Sequence, residues 1–283
     1  MITPWLRNAT LAISLVALSN PACAQQQADF NEVGRQMAIM LQNSHFARLP
    51  YNAELSRNFF DDYLKDLDYQ RLYFTQQDVD GFRMKYGDRL HTLLLQGNSM
   101  EVATEIYAVF KVRVSERIAL AQELLDGEFA FTGDDSVMMT RKEAAWPVNE
   151  AEAKLVWERQ IKEAVLSETL RREMLTRMAK EQDKADPGAD DIDPREKVSL
   201  RYKRLLASVL DADDEDVANY FLSAVARAYD PHTDYMSFRE MNRFKGDMKN
   251  ELVGIGALLQ AEEDGATIIK GIIVGGPADK EGT

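Results

Sequence analysis

From Asp29 to about Ala228 the apolar residues return at spacings of three, four and seven, and no other feature limits the possible folds of this chain so strongly. Val102, Ile106, Phe110, Val114, Ala121 and Leu124 draw one stripe, on a helix that Gly127 ends. Trp157, Ile161, Ala164, Leu175 and Met178 draw a second, interrupted only by Glu168. Val217, Phe221, Ala224 and Ala228 draw a third, on a helix starting near Asp214. Stripes of this kind bury against one another, so they predict a large helical core and no cofactor role. "TGDDS" (132–136) and the acidic, Gly- and Pro-containing "DKADPGADDID" (183–193) read as exposed connections. The cluster Asp211, Asp213, Asp214, Glu215 and Asp216 invites a calcium reading. An EF-hand needs glycine sixth and glutamate twelfth, where Asp216 and Leu222 stand. A helix start that favours negative charge accounts for the cluster instead.

The bulk numbers suit a stable globular protein, with 45% hydrophobic and 29% charged residues. Lys+Arg total 34 against Asp+Glu 47, a formal charge of -13, which argues against nucleic acid or an anionic membrane as partner. At the N-terminus Arg7, the apolar "ATLAISLVAL" and the small-x-small site Ala22-Cys23-Ala24 have the form of a secretory signal peptide over residues 1–24. Cleavage after Ala24 would send the chain to the periplasm, membrane-peripheral at most. It would also remove the only cysteine, leaving neither disulfides nor thiol chemistry.

After Tyr229 the pattern changes. Asp230-Pro231 forbids helix continuation and predicts a turn. From Leu252 two short β-runs follow, "ELVGIGALLQ" and "ATIIKGIIV", joined at Asp264-Gly265, and then a glycine pair with Pro277 at a helix start. The organisation predicted is mainly α: a signal peptide (1–24), an all-helical domain (25–246), and the start of a small β domain (247–283), which reads as incomplete because so few residues rarely fold alone.

Gly254 and Gly256 sit inside an apolar strand, where glycine marks a close approach of backbone or ligand. A dinucleotide fingerprint fails, because Leu259 replaces its third glycine. Two uses remain open. One is a bulged strand with no ligand. The other is an anion-binding nest of the Ile255, Gly256 and Ala257 amides, with a peptide added as a strand beside Ala257 to Gln260 and its last side chain against Leu252, Ile255 and Leu258. None of the three histidines, His45, His91 and His232, has a second His or Cys at metal spacing, and His232 reads as a turn residue near Asp230 and Asp234. Neither a G-x-S-x-G elbow nor a Walker loop occurs, so no catalytic residue is assigned within this chain, and no metal or cofactor.

"YFLSAVARAYDPHTDYMSF", continued by "ELVGIGALLQ" and "IIVGGPADKEG", resembles the tail-specific proteases, also called C-terminal processing peptidases. Their large periplasmic branch, with a helical domain ahead of a PDZ domain, is the most similar. "LDYQRLYFTQQDVDGF" (67–82) resembles that branch too, with Tyr69 and Gln70 where Pro and Asn are usual. The resemblance implies that Gly254, Ile255, Gly256 and Ala257 form the carboxylate-binding loop of a PDZ domain. It implies a serine endopeptidase with a Ser/Lys dyad downstream of this chain, so that these residues alone are inactive. It further implies polypeptide substrates with apolar C-termini and an adaptor lipoprotein as a possible partner. A non-catalytic PDZ-type peptide-binding adaptor and a helical scaffold of the cell envelope are the alternatives.

Overall fold

A computed structural model describes residues 28–131, 133, 136–185, 192–249, 255–261 and 267–281. The signal-peptide reading lies outside them. Among the described residues nine helices come first: α1 (Phe30–Ser44), α2 (Ala53–Leu67), α3 (Gln76–Tyr86), α4 (Leu90–Gln96), α5 (Met100–Asp126), α6 (Glu150–Glu181), α7 (Pro194–Asp211), α8 (Asp214–Tyr229) and α9 (Phe238–Lys249). Strands β1 (Ala257–Ala261) and β2 (Thr267–Ile272) and the short α10 (Pro277–Glu281) follow. The mainly helical class predicted from periodicity is what forms.

Helix ends follow the side chains available to satisfy free backbone groups. Thr75 and Asp78 cap α3 reciprocally, and Asp213 and Asp216 do the same for α8. The acidic cluster is therefore a helix start, its charge further neutralised by Arg239, which reaches Asp213, Glu215 and Asp216. Pro194 opens α7 behind the cap Asp193. Gly127 ends α5, as the stripe predicts.

The core has two parts. The larger gathers Phe59, Phe60, Tyr63 and Leu64 of α2, Phe74, and Phe221, Leu222 and Val225 of α8, all essentially inaccessible. The second gathers Ala121 and Leu125 of α5, Trp157, Ile161 and Val165 of α6, and Val198 of α7. Tyr73 and Tyr202 touch both. Gly34 brings α1 close to α8: a Cβ there would meet the Ser99 hydroxyl at 3.1 Å and a Leu222 methyl at 3.2 Å.

The "LDYQRLYF" segment makes the junction between these parts. Asp68 is 1% exposed and accepts four N–H donors: Leu72, Tyr73 and Phe74 from the backbone and the Trp146 indole at 3.0 Å. Burial pushes its carboxyl up, against the pull of those donors. Arg71 holds a left-handed φ of 52°, stacks 4.7 Å over Trp146 and donates to the Ala144 carbonyl. Tyr69 and Gln70 lie in the turn, with Tyr69 57% exposed.

Three details differ from the sequence reading. On α6 the stripe is buried only as far as Val165; Met178 is 44% exposed and Leu175 half-buried, while Ala179 is buried. An α-helix drifts relative to a straight seam, and over so long a helix the apolar line rotates off its neighbours. Second, α8 is buried on every side from Phe221 to Ala226, not on one face. Third, α9 lies beyond the apolar stripes that end near Ala228, and its apolar positions Phe238, Phe244 and Met248 remain 71, 47 and 70% exposed.

Candidate functional site

Of the predicted carboxylate-binding residues, Leu252 and Gly254 lie outside the described residues. Ile255, Gly256, Ala257 and Leu258 form the entry to β1. β1 pairs antiparallel with β2, Ala257 opposite Ile272 and Ala261 opposite Thr267, with an irregularity between Leu258 and Leu259. The turn at Asp264-Gly265 is not described, but the strands on either side of it are paired.

The carbonyls of the loop point inward. Ile255 O accepts from Ala278 N at 3.0 Å, and Gly256 O accepts from Ile273 N at 2.8 Å. The peptide bonds are trans, so each N–H points opposite to the carbonyl of its own unit. The Gly256 and Ala257 amides are thereby turned away from Ala278 and Ile273. Ile255 and Leu258 are 61 and 57% exposed, which leaves their side chains available to a ligand but encloses none.

Gly256 itself answers to its own chain. Its φ is 77°, and a Cβ there would meet Pro277 Cδ at 3.0 Å and Gly276 Cα at 3.1 Å. Gly276 is equally confined, with Ile273 O at 2.9 Å from its missing Cβ. The close approach signalled by glycine in the strand is therefore made first by the "GGP" turn. Asp279 fixes that turn by accepting from Gly275 N at 2.8 Å.

The "DPHT" turn binds α8 to the start of the chain. Tyr229 donates to Leu41 O at 2.8 Å and accepts from Leu49 N at 2.8 Å. His45 packs edge-on to Tyr229, with ring centroids 5.1 Å apart. Ala47 N donates to His45 Nδ1, so Nε2 carries the proton and faces Thr233 Oγ1 at 3.0 Å. Thr233 in turn donates to Asp230 at 3.1 Å. The imidazole's one lone pair is thus engaged by a backbone amide, and His45 has no free base for nucleophilic catalysis. His232 is 91% exposed at its side chain, and its backbone N–H donates to Asp230, as a turn residue's would. Among the described residues no group of three or more His, Cys, Asp or Glu could hold a metal ion, and no helix is long and apolar enough to cross a membrane. The polar links of Tyr229 to Leu41 and Leu49, and of Asp68 to Trp146, escaped sequence reasoning, because each joins positions far apart in the chain.

Residues 37–239 match the family described as "Tail specific protease N-terminal domain". The tail-specific protease of Haemophilus influenzae is 31% identical over 246 residues, which cover 87% of this chain and 33% of that protein. The chain thus spans about a third of the relative's length. Its helical part and the sequence that follows belong to the tail-specific protease family.

Proposed function

We propose that this chain is the N-terminal, substrate-recognising portion of a periplasmic serine endopeptidase that processes proteins from apolar free C-termini. A signal peptide ending at Ala24 exports it. Residues 247–283 begin a PDZ domain, and the Ser/Lys dyad lies beyond them, so residues 25–283 bind substrate without cleaving it. An adaptor lipoprotein is a partner that the cell envelope would supply.

One observation carries the recognition step: the Ile255 and Gly256 carbonyls are engaged on the inner side, which aims the next two amides outward. A substrate carboxylate received by the Gly256 and Ala257 amides would align its chain along β1 as an added strand. Ile255 and Leu258 would meet its last apolar side chain. The test is an affinity comparison on the whole protein, using an apolar peptide with a free C-terminus and its amidated twin. A charge-assisted contact of roughly 1.5–3 kcal/mol predicts at least a tenfold preference for the free acid, on the order of 1.4 kcal/mol. Equal affinities would overturn the reading. The peptide must be varied and not Gly256, because any side chain there strikes Gly276 and Pro277 before it reaches a ligand.

A further inference from the structure

The connection 45–52 between α1 and α2 is held by two polar ties that differ in chemistry. Leu49 N donates to the Tyr229 hydroxyl at 2.8 Å, and that hydroxyl donates onward to Leu41 O. Ala47 N donates to His45 Nδ1 at 3.1 Å. The residues around the second tie bury little: Phe46 is 97% exposed and Arg48 is exposed. Arg48 also holds a left-handed φ of 45°, uncommon for a residue with a side chain, so this stretch has a conformation that its bonds must maintain.

The second tie depends on the protonation of His45. With Nδ1 accepting from Ala47, Nε2–H donates to Thr233 Oγ1 at 3.0 Å, and Thr233 donates to Asp230 Oδ2 at 3.1 Å. Donors thus run in one direction, from Ala47 through the imidazole to Asp230. A second proton enters at Nδ1, where it turns the acceptor into a donor facing the Ala47 N–H. Two donors share no bond, so the Ala47 amide loses its partner. In exchange the imidazolium meets the negative charge of Asp230, whose Oδ2 lies 3.9 Å from Nε2. Desolvation would raise the Asp230 carboxyl, but bonds from Thr233 and the His232 backbone outweigh it and hold the carboxyl below the ordinary range. It is therefore an anion wherever histidine titrates. The elements packed around the ring also carry His232 and Asp234 in the turn, the latter paired with Arg227, Tyr229 on α8, and Arg48 and Tyr51 in the connection itself. α1 has no charged residue after Arg35.

We infer that His45 is a proton-operated latch on the α1–α2 connection: when the imidazole takes up its second proton it is held by Asp230 and releases residues 46–48, while Tyr229 keeps hold of Leu49. The latch rests on neither the carboxylate loop nor the substrate reading.

The test is residue-resolved amide exchange by NMR on the whole chain, between about pH 8 and pH 5. Rates are corrected for intrinsic exchange, and the His45 ring is followed in the same samples. The Ala47 amide is expected to lose protection about fivefold, the worth of one ordinary hydrogen bond, in step with the ring. Leu49 is expected to keep its protection. His45→Asn retains an acceptor for the amide two residues on, as in an Asx-turn, and takes up no proton, so Ala47 protection is expected to stay constant. Asp230→Asn keeps an acceptor oxygen for the turn and removes the charge. Its transition is expected to move to lower pH by about 0.4 unit, the effect of a modest, partly exposed ion pair. His232→Gln, at a side chain 91% exposed, is expected to leave the transition in place. Ala47 protection independent of pH, an equal loss at Leu49, or a transition that survives in His45→Asn would each overturn the inference. So would one that Asp230→Asn does not move or that His232→Gln abolishes.

Discussion

Trp157 and Leu258 are both large apolar residues in regular structure, yet Trp157 is 1% exposed and Leu258 is 57% exposed. The same contrast holds for their regions. In the helical part, stripes from α2, α5, α6, α7 and α8 meet each other and exclude water. Among the described residues of 255–281 none is buried, and Ile255, Leu258, Leu259, Ile269 and Ile272 all keep at least half of their surface. A two-stranded hairpin alone is marginal in water. What holds this one is a backbone ladder and the interlock of Gly256 with Gly276. Stability in the first region comes from side-chain burial, and shape in the second comes from main-chain geometry, which is also what a carboxylate-reading loop requires.

The largest test of that contrast is Trp157→Ala. The indole fills the second core cluster and donates to Leu72 O at 2.7 Å, so truncation should cost about 3–5 kcal/mol. Chemical denaturation followed by far-ultraviolet circular dichroism would read it. A loss below about 1 kcal/mol, the level of an ordinary surface change, would mean that α6 is not part of the cooperative unit.

Asp68→Ala comes next. It leaves the Leu72, Tyr73, Phe74 and Trp146 donors without their acceptor in a dry site, at about 3 kcal/mol. The same denaturation experiment checks it, and an unchanged midpoint would show that the turn re-forms around water.

These two residues also mark what could be read from the chain and what could not. Trp157 belongs to a stripe visible as spacing alone, because helical burial repeats with a fixed period. The same logic fails along the far half of α6, where local spacing persists but Leu175 and Met178 stay outside both core clusters of the described residues. Asp68 looks like any turn aspartate, since its fourth donor, Trp146, comes from a distant loop. In the candidate site, the glycines announced a close approach but could not name the approaching group. The "GGP" turn that fills that place lies twenty residues away from Gly256, across the hairpin.

An effect of intermediate size separates the regions by pH. Burial alone would push the Asp78 carboxyl up, but hydrogen bonds from Arg113 and Thr75 outweigh it and hold it below the ordinary range. Arg113 binds both Asp78 oxygens, at 2.8 and 2.9 Å, and also reaches Glu116 and Glu150, tying α3, α5 and α6 together. A carboxyl depressed in the folded state stabilises above its unfolded pKa of about 3.9, and that contribution disappears as pH falls through the folded value. Asp78→Asn should therefore cost about 1–2 kcal/mol at neutral pH, through the lost ion pair and weakened cap. It should also flatten the decline in stability below about pH 4. A variant whose acid unfolding runs parallel to the unaltered protein would place the acid sensitivity elsewhere.

The smallest expected global effect comes from Gly256→Ala. The added methyl must enter space held by Gly276 Cα and Pro277 at 3.0–3.1 Å, at a backbone φ of 77° that L-residues rarely adopt. Locally that is severe: the turn carrying Ile273 and Ala278 has to move, and both carbonyl anchors of the loop go with it. Globally it is slight, because none of the described hairpin residues reaches full burial, so the helical unfolding midpoint should move by less than about 0.5 kcal/mol. Amide hydrogen exchange distinguishes the two levels, since opening free energies differ between regions of one protein. Exchange should accelerate across 257–261 and 267–273 and stay unchanged in α2, α5 and α8. If protection fell in those helices as well, the hairpin and the helical core would share one cooperative transition, and the division between burial and main-chain geometry would be wrong.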